Sequence, residues 1–125
     1  MWYTTHISEP GDRKPILSVV FYVTAAGNEP VREWLLGLSR DDRRVVGFDI
    51  KTAQYGWPLG MPLIRKLEPG LWEVRSHIAG GVARVLFTVT GDTIVLVHGF
   101  VKKSEKTPAT DLKTAMQRMS DLQER

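Results

Sequence analysis

The spacing of apolar positions changes partway along this chain, from helical near the N-terminus to alternating after residue 63. Residues 16–23 are rich in β-branched and aromatic side chains and predict a first strand. Gly27-Asn28-Glu29-Pro30 reads as a helix start, with Asn28 or Gly27 capping and Pro30 in the first turn. Val31, Trp34, Leu35 and Leu38 then recur three or four apart, the spacing of a short amphipathic helix that stops near Gly37. Ser39 is a good N-cap for a second helix, and Asp41 and Asp42 suit the positive end of its dipole. Val45, Val46, Ile50 and Ala53 supply its apolar stripe, and Gly56 with Pro58 ends it. So short a link predicts an antiparallel helical hairpin.

From Leu63 onward the period falls to two. Residues 63–67 and 71–78 predict strands separated by the turn Glu68-Pro69-Gly70. Gly80-Gly81 leads into a strand at 82–89, and Thr90-Gly91-Asp92 into another at 93–101. These four form an antiparallel meander. Thr107-Pro108 opens a last helix, with Leu112, Ala115, Met116, Met119 and Leu122 on one stripe. The order β-α-α-β-β-β-β-α predicts an α+β domain with one sheet and helices packed on it. Residues 1–15 are polar, broken by Pro10, Gly11 and Pro15, and are expected to be a loosely ordered leader to a single domain at 16–125.

Composition narrows the class. At 125 residues the chain buries roughly two-thirds of its unfolded surface and needs no staples. Hydrophobic content of 42% and charged content of 25% are globular values. With no cysteine, disulfides and thiolate metal sites are excluded, and a reducing cytosol is compatible. No apolar run approaches the roughly 20 residues that span a bilayer. Residues 1–6 lack the pattern of a signal peptide, so a cytoplasmic location with no membrane partner is expected.

Charge is unevenly spread. Residues 62–106 carry seven Lys/Arg against four acids, 7 − 4 = +3, which equals the net charge of the whole chain. Alternation places Glu73, Arg75 and His77 on one face of their strand, Arg84 opposite Val85 and Phe87 on the next, and His98, Phe100 and Lys102 opposite Val95, Val97 and Val101 on the last. If the strands agree in register, Arg75, His77, Arg84 and Lys102 share a phosphate-binding surface. The plainer reading is a solvated polar sheet face. His77 is either a base or an ordinary strand-end residue, and His98 either a site group or a satisfied core residue. Phe100 either stacks on a base or plugs the sheet edge. Arg65-Lys66 is a phosphate contact or an edge-strand guard. His6 has no partner in view. Scattered histidines without carboxylates at ligand spacing predict no metal site. Trp72 belongs with core.

Three segments in this order carry a resemblance. They are Leu67-Glu68-Pro69-Gly70-Leu71-Trp72-Glu73-Val74-Arg75, Ala83-Arg84-Val85-Leu86-Phe87, and His98-Gly99-Phe100-Val101-Lys102-Lys103 leading to Thr107-Pro108. Together, from about residue 16 to the C-terminus, the chain resembles the phage-derived HigB-like branch of the RelE/ParE toxin superfamily. The resemblance implies a RelE-like fold and the toxin of a type II toxin–antitoxin pair. It implies an mRNA endoribonuclease that cuts translated messages in the ribosomal A site, with no cofactor and no metal. The implied partner is a HigA-like helix-turn-helix antitoxin. The family's basic strand positions carry over as Arg75 and Arg84, and its basic cluster after the last strand as Lys102 and Lys103; these with His98 are the expected catalytic residues, and Arg65, Lys66, His77, Phe100 and Lys106 are expected to bind RNA. In some relatives a tyrosine or histidine close to the last strand takes part. This chain has no tyrosine after Tyr55, so that role is vacant or passes to His98 or a lysine. A gyrase-directed toxin of the same fold, a non-catalytic nucleic-acid-binding phage protein, and a basic docking domain are the competing readings.

Overall fold

A computed structural model describes residues 17–60, 62–102 and 106–125. The elements are β1 (Ser18–Phe21), α1 (Pro30–Leu36), α2 (Arg40–Gly56), β2 (Ile64–Glu68), β3 (Leu71–Ile78), β4 (Gly81–Thr90), β5 (Thr93–Lys102) and α3 (Ala109–Gln123). They form one five-stranded sheet in the order β1-β5-β4-β3-β2. β2 to β5 are the expected antiparallel meander. β1 joins β5 in parallel, so the sheet is mixed. The α+β expectation holds. The leader expected at 1–15 lies outside the described residues.

Local chemistry sets the helix starts. Ser39 Oγ accepts from the Asp42 N–H at 3.1 Å and caps α2 as its sequence predicts. For α1 the cap is Glu29, whose N–H donates to the Glu33 carboxylate, while the Asn28 N–H donates to Thr24 Oγ1. The helices expected to pack on each other as a hairpin instead make their main contacts with the sheet, α1 against β5 and α2 against β3. Their buried residues, with Ile64, Val74, Phe87 and Leu96, make one core on that face. Trp57 closes it edge-on against Trp72 and Phe87, at 4.9 and 5.5 Å between ring centres. On the same face Trp34 crosses Gly99 so closely that a Cβ there would stand 2.4 Å from the indole.

The other sheet face departs from expectation. Alternation alone makes it a polar surface, but α3 lies across part of it and builds a second core from Leu71, Leu86, Val95, Val97, Ala115 and Met119. The cause is a bulge. Leu86 faces His98 and Phe87 faces Leu96, so Val97 is an extra residue in β5 and the strand changes phase there. Val95 and Val97 therefore share the α3 face with His98 rather than opposing it. This apolar patch is what the stripe of α3 covers.

Tyr22 fastens the far end of α3. Its hydroxyl donates to Asp121 Oδ2 at 2.7 Å, and the Arg118 and Arg125 guanidinium groups lie over its ring. Arg125 also donates to Asp121 and to the Val23 carbonyl. The hydrogen bond to Asp121, with burial, raises the Tyr22 pKa, and the same bond together with that from Arg125 lowers that of Asp121. A depressed carboxylate stabilises the fold above its unfolded pKa and loses that contribution as pH falls through its folded value. A raised phenol does the reverse, contributing below about pH 10 and losing its share above. Tyr22→Phe is thus expected to flatten both arms of the pH–melting curve, the acid arm only partly because Arg125 remains. Equal slopes in both proteins between pH 2 and 11 would contradict this.

Candidate functional site

Register brings most of the predicted residues to the α3 face. Arg65, Glu73, Leu86 and His98 stand side by side across β2, β3, β4 and β5. The next row is Arg75, Arg84 and Phe100, and the one beyond is His77, Val82 and Lys102. Paired side chains in such rows have Cβ atoms roughly 5 Å apart, close enough for Arg75 and Arg84 to repel. Glu73 relieves that repulsion from one row away. Its Oε1 is 3.6 Å from Arg84 Nη1 and 3.9 Å from Arg75 Nε. Thr107 completes the cluster, accepting from Arg84 at 3.5 Å and donating to Glu73 Oε2 at 3.0 Å.

Burial divides these residues by role. Glu73 and Arg84 have no exposed surface, and the Arg75 side chain is 10% exposed. Joined to them through Thr107 is a groove of about 590 Å³ whose walls include Arg65, Lys102, Lys106 and Thr107. Leu67, Pro108, Ala109 and Leu112 complete its lining. Three cations and no carboxylate line it among the described residues. Such a groove favours a polyanion, and its apolar portion gives a flat base something to rest on. Thr107 both lines the groove and holds the buried Glu73–Arg84 pair, so it joins the surface to the layer beneath.

His98 sits apart from the groove lining. Its Nε2 is 2.7 Å from Asp111 Oδ1, and Arg118 Nη1 lies 3.3 Å from Nδ1 while donating to the Val97 carbonyl at 2.8 Å. An arginine can only donate, so Nδ1 accepts and the proton sits on Nε2, pointed at Asp111. Both ring nitrogens are engaged, which fits the satisfied-residue reading. Phe100 packs its ring 5.6 Å from that of His98 and lies against the second core, as an edge plug would. His77 is exposed on β3 and shares a row with Lys102, which is exposed at the end of β5. Lys66 pairs with Trp72 and so belongs to the opposite face, away from Arg65. Lys103 and His6 lie outside the described residues. Asp111, Arg118 and Thr107 are the participants that sequence reasoning passed over. Asp111 and Arg118 are two helical turns apart on α3 and could have been paired with a polar residue beneath it.

No three His, Cys, Asp or Glu side chains stand close enough to hold a metal ion among the described residues. No helix there is long and apolar enough to cross a membrane. Residues 33–120, from within α1 to within α3, match the family described as Phage derived protein Gp49-like (DUF891). The matched span includes the whole meander and every described residue of the groove. No curated protein matches the chain.

Proposed function

We propose, for a chain that belongs to the Gp49-like family of phage-derived proteins, that it is the toxin of a type II toxin–antitoxin pair and cleaves mRNA. The family is of RelE/HigB-like toxin type, and the sequence segments quoted above carry the likeness to the HigB branch. The observation that carries the reading is a cationic groove, with no carboxylate in its lining among the described residues, joined through Thr107 to Arg84 and its row partner Arg75. A type II toxin needs a protein antitoxin, here a HigA-like helix-turn-helix protein. Translated mRNA in the ribosomal A site is the substrate, and the site of action is the cytoplasm.

The chemistry needs no co-reactant. The ribose 2′-oxygen attacks the adjacent phosphorus, forming a 2′,3′-cyclic phosphate as the bond to the 5′-oxygen breaks. Water takes the 2′-hydroxyl proton and an acid returns one to the leaving 5′-oxygen. Arg65, Arg75 and Lys106 hold the phosphates as negative charge grows in the transition state. Lys102, at the exposed end of β5, supplies the acid proton. Arg84 and Glu73 act from below, fixing the direction of Arg75. Lys103 extends the cationic wall, and His98 anchors the start of α3 through Asp111.

Inducing the protein without an antitoxin tests this directly. New RNA ends inside translated messages, appearing before growth stops, are the expected result. DNA breaks without new RNA ends would replace the reading with a gyrase target. RNA binding without either would leave a nucleic-acid-binding protein.

A further inference from the structure

α2 carries two apolar stripes, and only one is covered. Val46, Ile50 and Ala53 enter the core, while Val45, Phe48 and Tyr55 on the outer side are 39, 70 and 59% exposed. Val45 was expected in the buried stripe and is not there. Phe48, Thr52, Tyr55 and Leu59 with Lys51 form a shallow groove of about 440 Å³. Leu59 folds back to within 3.1 Å of where a Gly56 Cβ would be, which closes one end. Thr52 spends its hydroxyl on the Phe48 carbonyl and so adds no unmet polar group. This surface lies on the α2 side of the sheet, opposite the cationic groove.

We infer that this outer face of α2 is a docking site for an acidic amphipathic helix of another protein. Charge selects the occupant. Along α2, exposed Arg40, Arg44 and Lys51 with half-buried Arg43 outnumber exposed Asp41 and half-buried Asp42 and Asp49, and the Lys51 ammonium stands 5.9 Å from the Tyr55 ring centre. A helix bearing apolar residues three and four apart, with glutamates beside them, satisfies both the stripe and its rim. A second copy does not. An antiparallel pairing centred on Phe48 sets Arg44 of one copy beside Lys51 of the other, because they lie four and three residues to either side. The inference is independent of the reaction proposed above.

The test uses the full chain and two designed helical peptides with the same leucine stripe, one flanked by glutamate and one by lysine. Titration calorimetry should show binding of the acidic peptide alone, weakened about tenfold or more by Phe48→Glu. Arg44→Glu with Lys51→Glu should reverse the preference toward the lysine peptide. Circular dichroism confirms that each variant is folded. Binding of neither peptide would overturn the inference. So would a concentration-dependent dimer abolished by Phe48→Glu, which assigns the face to a second copy. Binding to phosphatidylglycerol vesicles without binding the acidic peptide would overturn it in favour of a lipid surface.

Discussion

Arg84→Ala is expected to lower the melting temperature by roughly 10–20 °C, rather than to remove activity from an intact fold. Arg84 and Glu73 are both wholly buried, and their attraction offsets the cost of taking two charges out of water. Truncating one partner leaves the other charged and poorly matched. Breaking a pair of this kind costs about 3–5 kcal/mol. Glu73→Ala should be as harmful, since it leaves two arginines directly opposed across β3 and β4. Glu73→Leu combined with Arg84→Met is the informative control. It removes both charges, keeps the volume and should recover most of the lost stability, but it should not recover toxicity because Arg75 loses its counter-ion. Chemical denaturation of the three variants measures each difference. A loss under about 1 kcal/mol for Arg84→Ala would mean that the pair is solvated and that Arg84 is free to meet substrate.

Element order was readable because each element announces itself locally, through Ser39 before α2 or Gly91 between β4 and β5. That Arg75 and Arg84 meet on one side of the sheet was conditional in the sequence on the register of β3 and β4, which only the paired strands supply. What local pattern does not carry is the count of residues through a bulge. One extra residue at Val97 moved two valines to the α3 face and turned an expected open surface into half a core. Arg84 is buried beside Glu73, Arg75 and Thr107, and Thr107 comes from the segment that leads into α3. Long-range polar contacts were equally invisible. Thr107 looked only like a helix start, yet it bonds to Glu73 thirty-four residues away. His98 finds its carboxylate and its arginine on a helix that sequence could place near it only after the stripe of α3 was assigned to a face. The outer stripe of α2 merged in sequence with the inner one, because Val45 and Val46 are adjacent and only packing decides which of them is covered.

Lys102 and Arg75 should separate proton transfer from charge stabilisation. Lys102 lies at the exposed end of β5, so Lys102→Ala is expected to leave the melting temperature unchanged. Cleavage should nevertheless fall about 10²–10⁴-fold if its ammonium protonates the leaving 5′-oxygen. Lys102→Arg keeps the charge at the same place but holds its proton too tightly to give it up, so it should stay near the alanine value. Arg75 makes the opposite case. Its side chain sits between the buried Glu73 and the surface, and Arg75→Ala should cost roughly 10²–10³-fold through lost stabilisation of the phosphorane-like transition state. Arg75→Lys restores a positive charge without the two-pronged geometry, and partial recovery is expected. Single-turnover cleavage on translating ribosomes, measured across pH, reads both residues at once. Recovery by Lys102→Arg would reduce Lys102 to a phosphate-holding cation and require another acid in the groove.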